Sequence, residues 1–212
     1  FLGVGAYAHN YFVTKLGIPF PFALVMAGFV SAAVGIAFAL PALRMTGIYL
    51  AIATLAFAVI LDQVFSHWGS VTGGFRGVPV ARPNLFGWSM ATETHFYYLC
   101  LVVLILVTLG ARNILRSATG RAMMAIRDSE ISAQSMGIHI ARTKVTAFGL
   151  STFITGIAGG LLAHKLQFIS PEAFSIILSI QLLLMIVVGG LGSLHGCFYG
   201  AIIVAFLPQF LA

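Results

Sequence analysis

The chain has 212 residues, of which 60% are hydrophobic and only 8% are charged, and its net charge at pH 7 is +6. Soluble domains carry about 25% charged residues, so this composition excludes a soluble globular fold and indicates an integral membrane protein. The apolar runs are long and lack the alternation of barrel strands. They predict an all-α membrane protein, a polytopic transmembrane helix bundle of about six to seven spans.

The basic residues lie between the apolar runs, which argues against nucleic acid as a partner and is typical of membrane topology signals, because cytoplasmic loops are enriched in Lys and Arg. If residues 112–144 are cytoplasmic, the inner side carries seven bases: Arg44, Arg112, Arg116, Arg121, Arg127, Arg142 and Lys144. The outer side carries four: Lys15, Arg76, Arg82 and Lys165. The loops at residues 66–95 and 165–174 then face outward.

The first half of the chain contains four predicted spans: Phe1–Leu16, Phe22–Leu40, Met45–Phe65 and Phe96–Ala111. Two prolines in residues 17–21 predict a turn between the first two. In the second span, small residues recur every four positions, a stripe that lets another helix approach closely. These residues are Ala27, Ser31, Gly35 and Ala39.

Polar residues in and after the third span are candidates for a substrate pathway. Thr54 lies inside this span and Asp62 near its end. An ionisable residue in a span suggests function, and the alternative is that Asp62 is hydrated at the interface. Gly73 and Gly74 either let backbone line a vestibule or make turns. With Gln181 of a later span, these residues form our candidate pathway set.

The second half contains a fifth span at Ala141–His164, a sixth at Ile176–Val188 and a seventh ending near Pro208. Ser170 before Pro171 and Glu172 predicts a helix start. The glycine-rich run 189–196 is either a break that lines a cavity, merging into a packed helix, or a tight turn between two helices. The candidate helix-packing glycines are Gly35, Gly156, Gly160, Gly192 and Gly196.

Residues 1–65 and 143–212 show a weak internal repeat of span, turn, span, break and span. Ala8-His9 and Ala163-His164 occupy similar places in the two halves of this repeat. Repeats of this kind recur in transporters.

The long polar segment Gly120–Ile138 lies between the fourth and fifth spans. Ser117 or Thr119 caps one predicted helix, and Asp128 or Ser129 caps a second that ends at Gly137. Spacings of three and four place five residues on one low-polarity stripe: Ala122, Ile126, Ser129, Ala133 and Met136. We interpret this stripe as a docking face for another protein; the alternative is that it lies on anionic membrane lipid in the headgroup layer.

Six stretches of the chain resemble the permease subunits of branched-chain amino acid ABC importers, the LivM/LivH type. In chain order they are TGIYLAIATLAFAVIL, VTGGFRGVPV, GRAMMAIRDSEISAQSMGI, AGGLLAH, FISPEAF and IVVGGLGSLHG. They span nearly the whole chain, and their combination is specific. We expect 1–212 to be a single transmembrane permease domain. Because the chain lacks an initiator methionine and is apolar at both ends, we expect it to be truncated at the N-terminus, with the C-terminus either truncated or intact.

The resemblance implies that residues 112–142 form a cytoplasmic segment that couples the permease to an ATPase. The family pattern Glu-x-x-Ala-x-x-x-Gly falls on Glu130, Ala133 and Gly137, and Gln134 stands where many relatives carry an acid. The expected coupling residues are Gly120, Arg121, Arg127, Asp128, Glu130, Ala133 and Gly137. The implied partners are cytoplasmic ATP-binding subunits, a second permease subunit of identical or sister sequence, and a periplasmic substrate-binding protein.

The sequence has no phosphate-binding Gly-x4-Gly-Lys-Ser/Thr loop, and we find no metal cluster or catalytic constellation in it. We therefore expect a transport subunit rather than an enzyme, with no cofactor of its own and ATP held by partner subunits. The expected function is import of branched-chain or related amino acids across the bacterial inner membrane. The alternatives are an importer of urea or a short amide, an ATP-independent secondary transporter, and a scaffold protein without a pathway.

Overall fold

A computed structural model describes residues 1–43, 48–80, 84–85, 88–89, 93–190 and 192–211. The helices are α1 (Leu2–Lys15), α2 (Phe20–Ala42), α3 (Ile48–His67), α4 (Gly69–Thr72), α5 (Glu93–Arg116), α6 (Ala118–Asp128), α7 (Glu130–Ser135), α8 (Ile140–Leu166), α9 (Ile176–Gly189) and α10 (Leu194–Leu211). The strands are β1 (Val78–Pro79), β2 (Asn84–Leu85), β3 (Trp88–Ser89) and β4 (Phe168–Ile169), and 3-10 turns cover Gly74–Arg76 and Pro171–Phe174. Residues 1–171 and 172–212 form two compact units.

Within the described residues, four helical stretches are long and apolar enough to cross a membrane: Phe20–Pro41, Glu93–Arg116, Ile140–Leu166 and Pro171–Gly189. Ile52–His67 and Leu194–Leu207 are shorter apolar helices. The prediction of an all-α polytopic membrane protein is confirmed.

The core of the first unit is formed by α1, α2 and α8, whose small residues allow close backbone contact. Ala27 and Ser31 on α2 are fully buried. A Cβ atom added at Gly156 of α8 would lie 2.5 Å from Ser31 Oγ, and one added at Gly5 of α1 would lie 2.7 Å from the Gly156 carbonyl carbon. One added at Gly35 would lie 2.6 Å from Thr152 Cγ2. The small-residue stripes of α2 and α8 therefore face each other, an arrangement that favours dispersion contacts in a membrane.

Two buried histidines join α1 to α8. His9 Nε2 and His164 Nε2 are 2.8 Å apart. The Phe20 ring lies edge-on to both imidazoles, with its centroid 5.1 Å from that of His9 and 5.0 Å from that of His164. A hydrogen bond between two ring nitrogens needs one donor and one acceptor, so the Nε2 atom of one ring carries a proton and the Nε2 atom of the other does not. A Cβ atom at Gly160 would lie 3.2 Å from His9 Cγ, so the glycine keeps room for the pair.

Removing one histidine is expected to lower the free energy of unfolding by about 1–2 kcal/mol. His9→Ala and His164→Ala each delete the same hydrogen bond, so the double variant should be less destabilised than the sum of the single variants. Unfolding of the purified protein in detergent micelles measures this cycle. The exposed His195 offers a control: His195→Ala should change little. Strictly additive losses for the two buried positions would contradict the pairing.

The two loops predicted on the outer side contact each other. Strands β1 and β4 pair antiparallel, with Val78 opposite Ile169 and Pro79 opposite Phe168. The Val80 amide also donates to the Gln167 carbonyl at 3.0 Å. Both loops therefore lie at the same end of α8, as the charge distribution predicts.

Several predicted boundaries are corrected. α2 begins at Phe20 rather than Phe22, because Pro19 and Pro21 fall at the helix start, where proline is tolerated. The predicted loop at 66–95 is shorter, since α3 continues to His67 and α5 begins at Glu93. Ser170-Pro171-Glu172 does not begin an α-helix: a 3-10 turn forms there, and α9 begins after the extended residue Ser175. Met45, the predicted start of the third span, lies outside the described residues, as do Arg44 and Arg82.

In the second unit, α9 and α10 form an antiparallel helical hairpin. A Cβ atom at Gly189 would lie 2.6 Å from the Gly196 carbonyl carbon, and one at Gly200 would lie 2.9 Å from the Gly189 nitrogen. The two helix backbones are thus in direct contact, and the chain turns between Gly189 and Leu194. Of the two interpretations of the glycine-rich run, the structure has the tight turn. Gly192, predicted as a packing residue, lies exposed in that turn.

Candidate functional site

The polar segment between the fourth and fifth predicted spans begins with a capped and sharply folded junction. Ser117 follows α5, and its Oγ accepts a hydrogen bond from the Gly120 amide at 3.2 Å, so Ser117 rather than Thr119 caps α6. A Cβ atom at Gly120 would lie 2.6 Å from the Leu115 carbonyl oxygen. Gly120 is therefore buried at the point where α6 folds back on the end of α5.

The segment forms two helices, as predicted, because Ser129 interrupts the first and caps the second. Its amide still donates to the Ala125 carbonyl at 3.0 Å, while its Oγ accepts from the Ser132 amide at 3.3 Å. The neighbouring Arg127 and Asp128 form an exposed ion pair with 3.4 Å between Nε and Oδ1. Of the two proposed caps of α7, Ser129 is the one observed.

Gly137 ends α7 in a left-handed conformation, with φ of +81°. The Gly137 amide donates to the Gln134 carbonyl at 3.0 Å and the Ile138 amide to the Ala133 carbonyl at 3.1 Å. These two bonds form a Schellman motif, which favours glycine at this position. No atom lies within 4 Å of the place a Cβ would occupy, so the requirement is for backbone conformation rather than space.

The low-polarity stripe is buried within this chain at Ile126 and Ala133 and exposed at Met136. Ala133 is 1% exposed and Ile126 9% exposed, and both α6 and α7 contact α8. Of the expected coupling residues, Gly120 and Ala133 are thus buried within the chain. The segment exposes three large apolar side chains, of which Ile131 at 84% and Met136 at 79% are far more exposed than Met124 at 41%. Sequence reasoning missed Ile131, although an isolated isoleucine in a polar run is itself a signal.

Side-chain contacts tie the segment to the helices on both sides of it. Glu130 Oε1 and Lys144 Nζ are 2.6 Å apart, which joins α7 to α8. Arg121 Nη1 donates to the Arg116 carbonyl at 2.9 Å, which joins α6 to the end of α5. A force applied to α6 or α7 would therefore act on two membrane-spanning helices at once.

The candidate pathway residues belong to different elements of the described structure. Thr54 and Asp62 are exposed on α3. This helix packs on its neighbours through aromatic rings. The ring centroids of Phe57 and Phe38 are 4.2 Å apart, and those of Phe65 and Tyr7 are 5.0 Å apart. Gly73 and Gly74 have positive φ and form a turn.

The turn at Gly73 and Gly74 is organised by Thr72. Its hydroxyl donates to the Phe65 carbonyl at 2.6 Å and the Trp68 carbonyl at 2.7 Å. Of the two interpretations of these glycines, the structure therefore has the turn. Gln181 is exposed on α9, in the second unit. Within the described residues, no group of His, Cys, Asp and Glu could hold a metal ion.

Comparisons with known proteins match the whole chain. A family model described as the permease component of branched-chain amino acid transport systems covers residues 1–212. The high-affinity branched-chain amino acid transport system permease protein LivM of Salmonella typhimurium is 34% identical over 96% of this chain and 53% of its own length. LivM of Escherichia coli gives the same identity and coverage.

A relative with a different name matches a smaller part of the chain. The autoinducer 2 import system permease protein LsrC of an Enterobacter species is 31% identical over 52% of this chain and 31% of its own length. The chain spans about half the length of the LivM relatives it matches. No solved structure matches it.

Proposed function

The chain belongs to the permease family of branched-chain amino acid transport systems, and on this premise we propose that it is the transmembrane permease subunit of an ATP-binding cassette importer. Its proposed location is the bacterial inner membrane, which it crosses several times. Its proposed partners are cytoplasmic ATP-binding subunits, a second permease subunit and a periplasmic substrate-binding protein. ATP is bound and hydrolysed by the partner subunits.

The observation that carries this proposal is the construction of the α6–α7 segment, residues 118–138. It is fixed to α5 by Arg121 and to α8 by Glu130, and it exposes Ile131 and Met136 outside the apolar helices. Large apolar side chains that are exposed within a polar segment are suited to a protein contact, in which apolar residues form the buried centre and polar residues the rim. An ATPase subunit that binds these side chains would move both α5 and α8 when the ATPase changes conformation.

The mechanism requires ATP binding to favour one conformation of the importer. A ligand shifts an equilibrium only by its differential affinity for the two states, so the closed ATPase dimer must bind one position of α6–α7 more tightly. We propose that this movement rocks α5 and α8 between outward and inward openings. Arg121, Arg127, Asp128, Glu130 and Gly137 belong to the proposed coupling site, with Gly120 and Ala133 shaping it from inside.

The names of the LivM relatives support branched-chain amino acids as the cargo. The similarity to LsrC, whose name specifies autoinducer 2 import, favours a second candidate, an importer of another small polar compound. Thr54, Asp62 and Gln181 remain the proposed pathway residues, because each has an exposed polar side chain.

Uptake by purified components tests the proposal. The full-length permease is reconstituted in liposomes with its ATP-binding subunits and binding protein, and uptake of radiolabelled leucine, isoleucine and valine is measured. We expect uptake only with ATP inside the compartment that holds the ATPase, and none with an ion gradient alone. Uptake by the permease without an ATPase would contradict the proposal, and ATP-driven uptake of a different cargo would favour the second candidate.

Replacing Gly137 is expected to impair coupling without affecting membrane insertion. Gly137→Val meets no clash, but a left-handed conformation costs an L-residue about 1–2 kcal/mol, so the Schellman turn should loosen. We expect uptake per inserted permease to fall roughly fivefold or more, with Gly137→Asn affected less because asparagine tolerates this conformation. Uptake normalised to membrane protein measures the effect, and unchanged uptake in the valine variant would count against the assignment.

A further inference from the structure

A lysine in the second turn of α8 holds the short helix α7 through its side chain. Lys144 Nζ donates to Glu130 Oε1 at 2.6 Å. The Lys144 side chain is 25% exposed and that of Glu130 is 48% exposed, so the lysine is the more buried member of the pair. Because the turn at Gly137 lies between the two residues, this bond fixes α7 against α8 in addition to the backbone connection.

The neighbouring base Arg142 shows that membrane topology does not account for this contact. Arg142 lies two residues before Lys144 and on another side of α8, since each helical residue turns about 100°, and it is exposed. The ion pairs among the described residues are Arg127–Asp128 and Glu130–Lys144, so Arg142 has no carboxylate partner in that part of the chain. Either base supplies the positive charge that marks an inner loop. Of the two, Lys144 is the one that contacts α7.

The face of α8 that carries Lys144 continues into the core of the first unit. Residues four apart lie on one face of a helix, which places Phe148, Thr152 and Gly156 in line with Lys144. The Phe148 ring lies edge-on to Phe38 of α2, with 6.4 Å between the ring centroids, and Thr152 is buried. Gly156 is the residue at which α1 and α2 both approach α8. A displacement of α8 at Lys144 is therefore transmitted to α1 and α2.

The other helix to which the polar segment is attached has different surroundings. No residue of α5 is buried, whereas α8 has buried residues from Gly149 to His164. The attachment to α5 is the hydrogen bond from Arg121 to the Arg116 carbonyl. The attachment at Lys144 thus leads into a closely packed three-helix body, and the attachment at Arg121 leads to a helix with little packing around it.

We propose that Lys144 is a positioning residue of the transport cycle, which holds α7 on α8 so that an ATPase-driven movement of α7 displaces α1, α2 and α8 as one body. This inference rests on the proposed function. Exposed ion pairs contribute little to the free energy of folding, so loss of the pair should leave the fold intact. The substitution removes a charge-assisted hydrogen bond that fixes the position of one helix on another.

Hydrogen exchange of the purified permease in detergent micelles, without any other subunit, tests the link itself. We expect Lys144→Gln to speed amide exchange in α7 about fivefold, because α7 opens more easily when one hydrogen bond is lost. Arg142→Gln removes a neighbouring charge that has no partner among the described residues, and it should leave the exchange of α7 unchanged. Equal exchange rates in the Lys144 variant and the unaltered permease, or an equal increase in both variants, would overturn the proposal.

The number of leucine molecules imported per ATP hydrolysed tests the positioning role. The full-length permease is reconstituted in liposomes with its ATP-binding subunits and binding protein. We expect Lys144→Gln and Glu130→Gln each to lower this ratio about fivefold while the ATP-binding subunits stay attached. The double variant should lose no more than the more impaired single variant, because both substitutions remove the same bond. Lys165→Gln, an exposed lysine at the other end of α8, should leave the ratio unchanged.

Two failures of this experiment are distinguishable. Losses that add up in the double variant, or an unchanged ratio in Lys144→Gln, would overturn the role of Lys144. Absence of any ATP-driven uptake by the unaltered permease would instead contradict the proposed function or its cargo, and the exchange measurement would still decide whether Lys144 holds α7.

Discussion

Gly156→Leu is expected to prevent the full-length permease from folding into a stable, monodisperse protein. Gly156 lies between α1 and α2: a Cβ there would be 2.5 Å from Ser31 Oγ and 3.0 Å from the Ala27 carbonyl oxygen. Overpacking costs about 1–3 kcal/mol where side chains can yield. Here a backbone carbonyl opposes the new side chain, so we expect a loss above about 4 kcal/mol. Size-exclusion profiles and protease resistance of the purified permease measure the outcome.

Gly110→Leu is the matched control for this substitution. Gly110 also lies inside a long apolar helix, but no atom lies within 4 Å of its Cβ position. Leucine has the higher helix propensity, by up to about 1 kcal/mol, so this variant should fold normally. If Gly156→Leu and Gly110→Leu gave equal yields of monodisperse protein, the close packing of α1, α2 and α8 would be wrong.

Ile131→Asp and Met136→Asp are expected to abolish most ATP-driven uptake while leaving the permease folded. Both side chains are exposed, so the substitutions remove no internal packing. If the two residues anchor the ATPase contact, each substitution should reduce the binding free energy of the ATPase subunit by about 2 kcal/mol or more, which is roughly a thirtyfold loss of affinity. Co-purification of the ATP-binding subunits and uptake in reconstituted vesicles measure the two consequences.

Ser132→Asp introduces the same charge next to Ile131 and controls for it. Position 132 lies in the first turn of α7, where an acid is favoured by the helix dipole, so this variant should retain the ATPase subunits and most uptake. Retention of the ATPase by both the Ile131 and Met136 variants would show that the contact surface lies elsewhere on the segment.

The helical spans follow from the sequence because their apolar runs have few competing interpretations. The errors lie at the ends: α5 reaches Glu93 and Arg116 because charged residues at helix ends extend out of the apolar layer, where a hydropathy pattern no longer registers them. The small-residue stripes of α2 and α8 were each recognisable. Their mutual contact was not, because periodicity identifies a face without identifying its partner.

The candidate site was predicted in its local chemistry, but the burial of part of it was not. Ser117, Ser129 and Gly137 act as caps because capping depends on neighbouring residues only. The stripe was expected to face a partner; its members Ile126 and Ala133 are buried within the chain, whereas Met136 is exposed. Burial depends on distant sequence, and so does the His9–His164 hydrogen bond, which joins residues far apart in the chain.

The most direct test of the account is the side of the membrane from which residue 136 is accessible. Met136→Cys is placed in a full-length permease whose native Cys100 and Cys197, both free thiols, are replaced by serine. A membrane-impermeant maleimide is applied to intact right-side-out vesicles before and after they are opened, with Gln167→Cys as the marker for the opposite end of α8. We predict that residue 136 reacts only after opening and residue 167 before it. Labelling of residue 136 in intact vesicles would contradict the account.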